Sequence, residues 1–199
     1  MRTVNQIVLA STNYNKFIEM KALLMRAPGI ELQQPNGLLR NADKIGAVET
    51  HETYIENAAA KARLVNQGCH YPALADDSGL EVMALEGKPG VRSARDWDVE
   101  KVLAGIKGQA NRDARFVCTL ALVIEGTLIS ATGLLEGTLV ESPRGKNGFS
   151  YDSIFVPKGE TRTLAEMTET EKNAISHRAI AVETLLRECA AYGIQFVKP

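Results

Sequence analysis

The stretch that most restricts the fold is ARFVCTLALVIEGTLISATGLLEGTLV, residues 114–140. Its first half is apolar on both alternating faces, with Phe116, Cys118, Leu120 and Leu122 on one and Val117, Ala121 and Val123 on the other. Successive strand side chains point to opposite faces, so this run has to be covered on both sides and belongs at the centre of a sheet. Glu125 and Gly126 then form a turn into a second run, which makes a hairpin.

The remaining segments supply what must cover that strand. NQIVLA (5–10) reads as a strand, STNYNK (11–16) as a polar loop, and a helix follows through Phe17, Met20 and Leu24 toward APG at 27–29. Residues 30–50 are polar and irregular. TYIENAAAKARLVNQG (53–68) predicts a helix: Thr53 and Glu56 fit a capping box, Ile55, Ala58, Ala62 and Val65 form an apolar stripe, and Gly68 supplies the stop. YPALADDSG (71–79) reads as a short strand ending in two carboxylates and closed by Gly79, with EGKPG (86–90) as a turn. A Gly-rich loop, SPRGKNGFSYD (142–152), precedes the short strand SIFVP (153–157). Thr168 and Glu171 cap a brief helix that hands over to one starting at Ser176, whose stripe is Val182, Leu185 or Leu186, and Cys189. Helices and strands alternate and a hairpin interrupts them, which predicts an α/β fold with a mixed central β-sheet and flanking helices.

With 199 residues, 45% of them hydrophobic, the chain suits one globular domain (1–199), with room for two lobes. Its 23 basic and 24 acidic residues leave a formal net charge of -1, which opposes a broad nucleic-acid or membrane surface but allows a local cationic pocket. Cys69, Cys118 and Cys189 form no CxxC or Cys/His ligand pattern and read as buried reduced thiols. No apolar run is long enough to span a bilayer and residues 1–20 lack a signal-peptide pattern, so a cytoplasmic location is expected.

Four groups carry chemistry. In EKNAISHRA (171–179), Ser176 is a good N-cap and places His177 and Arg178 in the first helical turn. Cations there oppose the helix dipole unless an anionic ligand lies between them, and Lys172 adds a third. In LASTNYNK, a strand, a polar loop and a helix starting near Asn13 or Asn15 make a phosphate-binding arrangement with Lys16 as point charge. The P-loop glycines are absent, and taken alone these residues favour an N-capped helix with a solvated lysine. Asp76 and Asp77 point to opposite faces of a strand, so they share no proton; one can face a cleft and bind Mg²⁺ or activate a water while a basic partner or backbone holds the other. The plainer alternative is a solvated turn. GFSYD (148–152) offers Phe149 to stack on a planar base and Asp152 to read its edge, unless both aromatics are core. Together the groups fit a base carrying several phosphates plus Mg²⁺.

At this point the chain resembles the inosine/xanthosine triphosphate pyrophosphatase family, over about residues 6–190. The blocks LASTNYNKFIEM, YIENAAAKA, ADDSGLEVMALEGKPGVRSAR, ARFVCTLAL, PRGKNGFSYDSIF and LAEMTETEKNAISHRAIA follow in family order. The resemblance implies two lobes around a deep active-site cleft, a homodimer, and Mg²⁺-dependent hydrolysis of ITP, dITP or XTP to the nucleoside monophosphate and pyrophosphate. It implies that Ser11, Thr12, Asn13, Tyr14, Asn15 and Lys16 hold phosphates. Asp77 would bind metal and accept the proton of the attacking water, with Glu49 as the second metal carboxylate and Glu52 as the alternative. Ser78, Phe149, Ser150, Tyr151, Asp152, Lys172, His177 and Arg178 would surround the nucleotide. Thr12, Ser150 and Ala179 stand where the family usually has glycine, and Ser153 where it has proline. These changes bear on loop geometry. A nucleotide-binding sensor without turnover is the competing reading, and a nucleic-acid-binding module is opposed by the charge balance.

Overall fold

The structure, a computed structural model, describes residues 2–25, 29–39 and 42–197. In chain order its elements are β1 (Arg2–Val4), β2 (Gln6–Leu9), α1 (Tyr14–Leu24), β3 (Glu31–Gln33), α2 (Tyr54–Cys69), β4 (Ala73–Val82), α3 (Val99–Gly105), β5 (Asp113–Ile124), β6 (Thr127–Leu139), β7 (Phe155–Pro157), α4 (Glu169–Ile175), α5 (His177–Ala191) and β8 (Ile194–Phe196), with short 3-10 turns between. Six strands form one sheet in the order β3-β2-β4-β5-β6-β7. β2 runs parallel to β3 and β4, and β7 antiparallel to β6, so the sheet is mixed as expected. β5 is buried along almost its whole length and lies between β4 and β6, the central place that its two apolar faces require. Glu125 and Gly126, at φ 47° and 77°, make the tight turn into β6.

The chain divides into two compact units. The first comprises Met1–Asp77, Thr119–Gly133 and Ile180–Pro199; the second comprises Ser78–Cys118 and Leu134–Ala179. In the first, α2 presents Ala58, Ala59, Ala62 and Val65 to a core that includes Val8, Ala73, Ala75, Ala121 and Val123. Small side chains on helix and strands alike allow close approach of the backbones. In the second, Leu80, Val82, Val102, Ile106, Phe116, Ile154, Phe155 and Leu164 make the core. Among the described residues no helix is long and apolar enough to cross a membrane.

Several local expectations need correction. Gly79 does not end the fourth strand, which runs on to Val82 with Gly79 buried inside it. Gly68 is not the stop of α2: the helix reaches Cys69, and His70 takes the left-handed cap at φ 62°. Gly68 serves close packing instead, since a Cβ there would lie 2.1 Å from Leu39 Cδ1. Residues 30–50 contain β3 and a 3-10 helix over Ala42–Val48. Residues 150–153 form a 3-10 turn, so the strand expected over 153–157 begins at Phe155. α1 ends at Leu24, and of the APG segment residues 27 and 28 lie outside the described residues.

Candidate active site

Asn13 caps α1 by accepting a hydrogen bond from the Lys16 backbone N–H at 3.2 Å, and Ser11 Oγ accepts one from the Asn13 N–H at 3.1 Å. The loop stays open: Thr12, Asn13, Tyr14 and Asn15 are exposed at the helix start. Parallel pairing of Leu9 with Leu74 brings this loop alongside the end of the strand pair, two residues before Asp76.

The alternation of β4 separates the adjacent aspartates. Asp76 is fully buried and meets Lys16 of α1, Nζ to Oδ2 at 3.0 Å. Asp77 is buried against α2, where Asn57 Nδ2 donates to its Oδ2 at 3.0 Å and Lys61 Nζ lies 3.8 Å from its Oδ1. Lys61, itself 3% exposed, also donates to Glu49 Oε1 and to the Asp76 carbonyl. Asn57 exchanges hydrogen bonds with the His51 backbone at 3.0 and 3.2 Å, which ties the segment carrying Glu49 to α2. Burial pushes the Asp77 carboxyl up to about 6; Lys61, Asn57 and Lys16 oppose that rise and Glu49 adds to it. Desolvation wins over the neighbouring ammonium groups, leaving a carboxylate poised to exchange a proton near neutral pH.

Lys61 and Asn57 did not emerge from the sequence as site residues. Their signal was present: they sit one helical turn apart in YIENAAAKA, polar residues beside an apolar stripe. Lys16 was expected to meet phosphate; its ammonium pairs with Asp76. The set fits a hard divalent cation. Glu49 and Asp77 are two carboxylates facing one positive group, and Mg²⁺ is commonly held by one or two carboxylates plus waters and substrate phosphates. Among the described residues no group of three or more His, Cys, Asp and Glu gathers. Glu52 is exposed, whereas Glu49 touches the Lys61 ammonium.

In the second unit, Ser176 closes α4 by donating its N–H to the Lys172 carbonyl, and it caps α5 by accepting from the Ala179 N–H at 3.1 Å. This double junction buries His177 and Arg178 at 4% and 2% exposure. They are not surface decoration. Arg178 Nη2 reaches Ser78 Oγ at 3.4 Å, and the His177 ring stacks on Phe116. Lys172 lies 2.6 Å from Asp152 Oδ2 and 4.9 Å from the Phe149 ring centroid, a salt bridge and a cation–π contact from one ammonium. Asp152 Oδ2 also accepts from the Phe149 N–H at 2.8 Å. Phe149, Asp152 and Lys172 are therefore one assembly.

Tyr151 behaves differently from its expected role. Its buried hydroxyl is committed to the Ser93 and Trp97 carbonyls at 2.7 and 3.1 Å, and burial, then Asp98, pushes it up to about 12. Ser150 takes φ 55°, a left-handed conformation that glycine adopts at no steric cost. Gly148 is restricted more tightly. At φ 71°, a Cβ would lie 2.2 Å from Asp152 Oδ2. Gly148→Ala is expected to break the Asp152–Lys172 pair and to lower catalytic efficiency at least about tenfold, equivalent to about 1.4 kcal/mol of transition-state stabilisation. Steady-state kinetics, with circular dichroism to confirm folding, checks this.

Residues 7–188 match the Ham1 family. The chain is 45% identical over 192 residues to a dITP/XTP pyrophosphatase of Deinococcus deserti, covering 90% of this chain and 87% of that one. It is 38% identical over 201 residues to a dITP/XTP pyrophosphatase of Bacillus subtilis, with 93% and 97% covered. A HAM1 protein from Coxiella burnetii superposes with a TM-score of 0.80 at 37% identity, over 94% of this chain and 100% of that chain.

Proposed function

The chain belongs to the Ham1 family, and we propose that it hydrolyses deaminated purine nucleoside triphosphates, ITP, dITP and XTP, to the nucleoside monophosphate and pyrophosphate. The observation that carries this reading is Asp77: a buried carboxylate, raised to about 6, beside a cationic side chain and a second carboxylate. That is what activation of a water near neutral pH requires.

Asp77 accepts the proton of the attacking water and is oriented by Asn57. Lys61 holds Asp77 and Glu49 in one field and limits their mutual repulsion. Mg²⁺, held by Asp77 and Glu49, would supply Lewis-acid stabilisation of charge on phosphate oxygens. The α1 N-terminus with Ser11, Thr12, Asn13, Tyr14 and Asn15 serves the phosphates, with Lys16, paired to Asp76, as the point charge at the helix start. Phe149 stacks on the base, and Ser78, Ser150, Asp152, Lys172, His177 and Arg178 read its edge and charge, with Tyr151 anchoring the loop behind them. The working form is a cytoplasmic homodimer, in line with the family resemblance.

Selectivity follows from donors facing a 6-oxo group. Adenine turns a 6-amino group toward them, which leaves buried donors unpaired at about 1–3 kcal/mol each. A site built on such hydrogen bonds should favour ITP and XTP over ATP in kcat/KM by at least about 100-fold. Equal efficiencies for ITP and ATP would refute the reading.

A further inference from the structure

We propose that Phe116 sets base selectivity by fixing the plane of the His177 imidazole. This rests on the nucleotide reading above and adds a residue that touches no substrate. The two rings lie 4.7 Å apart between centroids and within 10° of parallel. Phe116 is in turn wedged by Phe155, whose ring centroid is 4.7 Å away at an interplanar angle of 53°. Phe155 is fully buried and Phe116 is 6% exposed, so neither ring has room to swing. A stack therefore runs from β7 through β5 to the first residue of α5, and all three rings belong to the same compact unit.

The physical consequence concerns direction. The terminal torsion of a histidine is broad, so rotamer preference alone does not hold the ring at one angle. Its two nitrogens act in the ring plane, and hydrogen bonds weaken steeply as the donor angle closes. A flat aromatic face beneath the imidazole selects one plane, and offset stacking at this separation is attractive in its own right. The β5 residue thus decides where His177 can place a hydrogen bond, although it contributes no polar atom. Leucine, of comparable bulk but without a flat face, would leave the ring free to tilt. A purine edge presents its groups in one plane, so a tilted imidazole loses the distinction between 6-oxo and 6-amino before it loses binding.

The test compares the parent with Phe116→Leu, Phe116→Tyr and Val102→Ala. Val102 is fully buried in the same core but is not one of the stacked rings, so its truncation reports core softening alone. kcat/KM for ITP and for ATP is measured well below each melting temperature, and the His177 ring protons are followed by NMR. Phe116→Leu is expected to lower the ITP-to-ATP ratio about tenfold, the scale of one misdirected hydrogen bond, and to remove the upfield ring-current shift of His177. Phe116→Tyr should keep both, and Val102→Ala should keep the ratio within about twofold. A Phe116→Leu ratio within twofold of the parent, or an equal fall in Val102→Ala, overturns the assignment while leaving the pyrophosphatase reading intact. A folded parent with no preference for ITP overturns both.

Discussion

Asp77→Asn is expected to lower kcat for ITP by at least about 10³-fold while leaving the fold in place, because the amide supplies neither a base nor a full charge for a cation. Pyrophosphate release and a melting curve on the same sample check both halves. In the metal-free protein the Asp77 carboxyl should titrate near 6, because burial has lifted it, and a bound divalent cation, which favours the carboxylate, should move the acid limb of kcat/KM below that. The stability consequence has the opposite sign from a salt-bridged carboxylate. From about pH 4 to 6 the native state holds the Asp77 proton more tightly than the unfolded chain does. Stability therefore falls as pH rises through that window, and levels off above it. Asp77→Asn should flatten this dependence. A variant that keeps parental turnover would remove Asp77 from the mechanism.

Lys61→Met should destabilise the protein strongly. It removes a buried ammonium from between Glu49 and Asp77, leaving two carboxylates without their shared cation, and breaking a buried pair typically costs about 3–5 kcal/mol. For a chain of this size that corresponds to a fall in Tm of roughly 6–20 °C. The loss should shrink toward pH 5, where Asp77 takes up a proton, and the double variant Glu49→Gln/Lys61→Met should recover most of it. A Tm within about 2 °C of the parent at pH 8 would show that Lys61 does not hold the pair together.

Much of the fold was legible because it was written in local patterns. The two apolar faces of residues 114–124 placed β5 at the sheet centre, and the Thr53, Thr168 and Ser176 caps marked three helix starts that the structure reproduces. The failures share a cause. β1 and β8 are three-residue strands that exist because distant segments meet, and three residues carry no periodicity. α3 has only seven residues and is capped by Asp98, whose side chain accepts from the Lys101 N–H at 2.7 Å. Gly68 and Gly79 looked like stops, yet one admits Leu39 and the other lies within a strand, a difference set by neighbours far along the chain.

The candidate site divides in the same way. Residue types were readable: an aspartate pair on a strand, a capped loop before a helix, cations at the start of α5; that the pair sits in the middle of β4 and not at its end was not. Pairings were not. That Lys16 belongs to Asp76, that Lys61 bridges toward Glu49 and Asp77, and that His177 rests on Phe116 depend on which strand lies next to which helix. Asn57 and Lys61 were obscured by the alanine run that brings α2 against the sheet, where polar residues read as the solvated side of an amphipathic helix.

Phosphorus NMR of ITP incubated with the protein and Mg²⁺ shows directly whether the chain cuts a deaminated purine triphosphate between its α and β phosphates. Inosine monophosphate and pyrophosphate should appear in equal amounts from the first turnover, and Asp77→Asn should yield neither. Accumulation of inosine diphosphate with inorganic phosphate, or ITP left intact by a folded protein that binds it, would rule out cleavage at that bond.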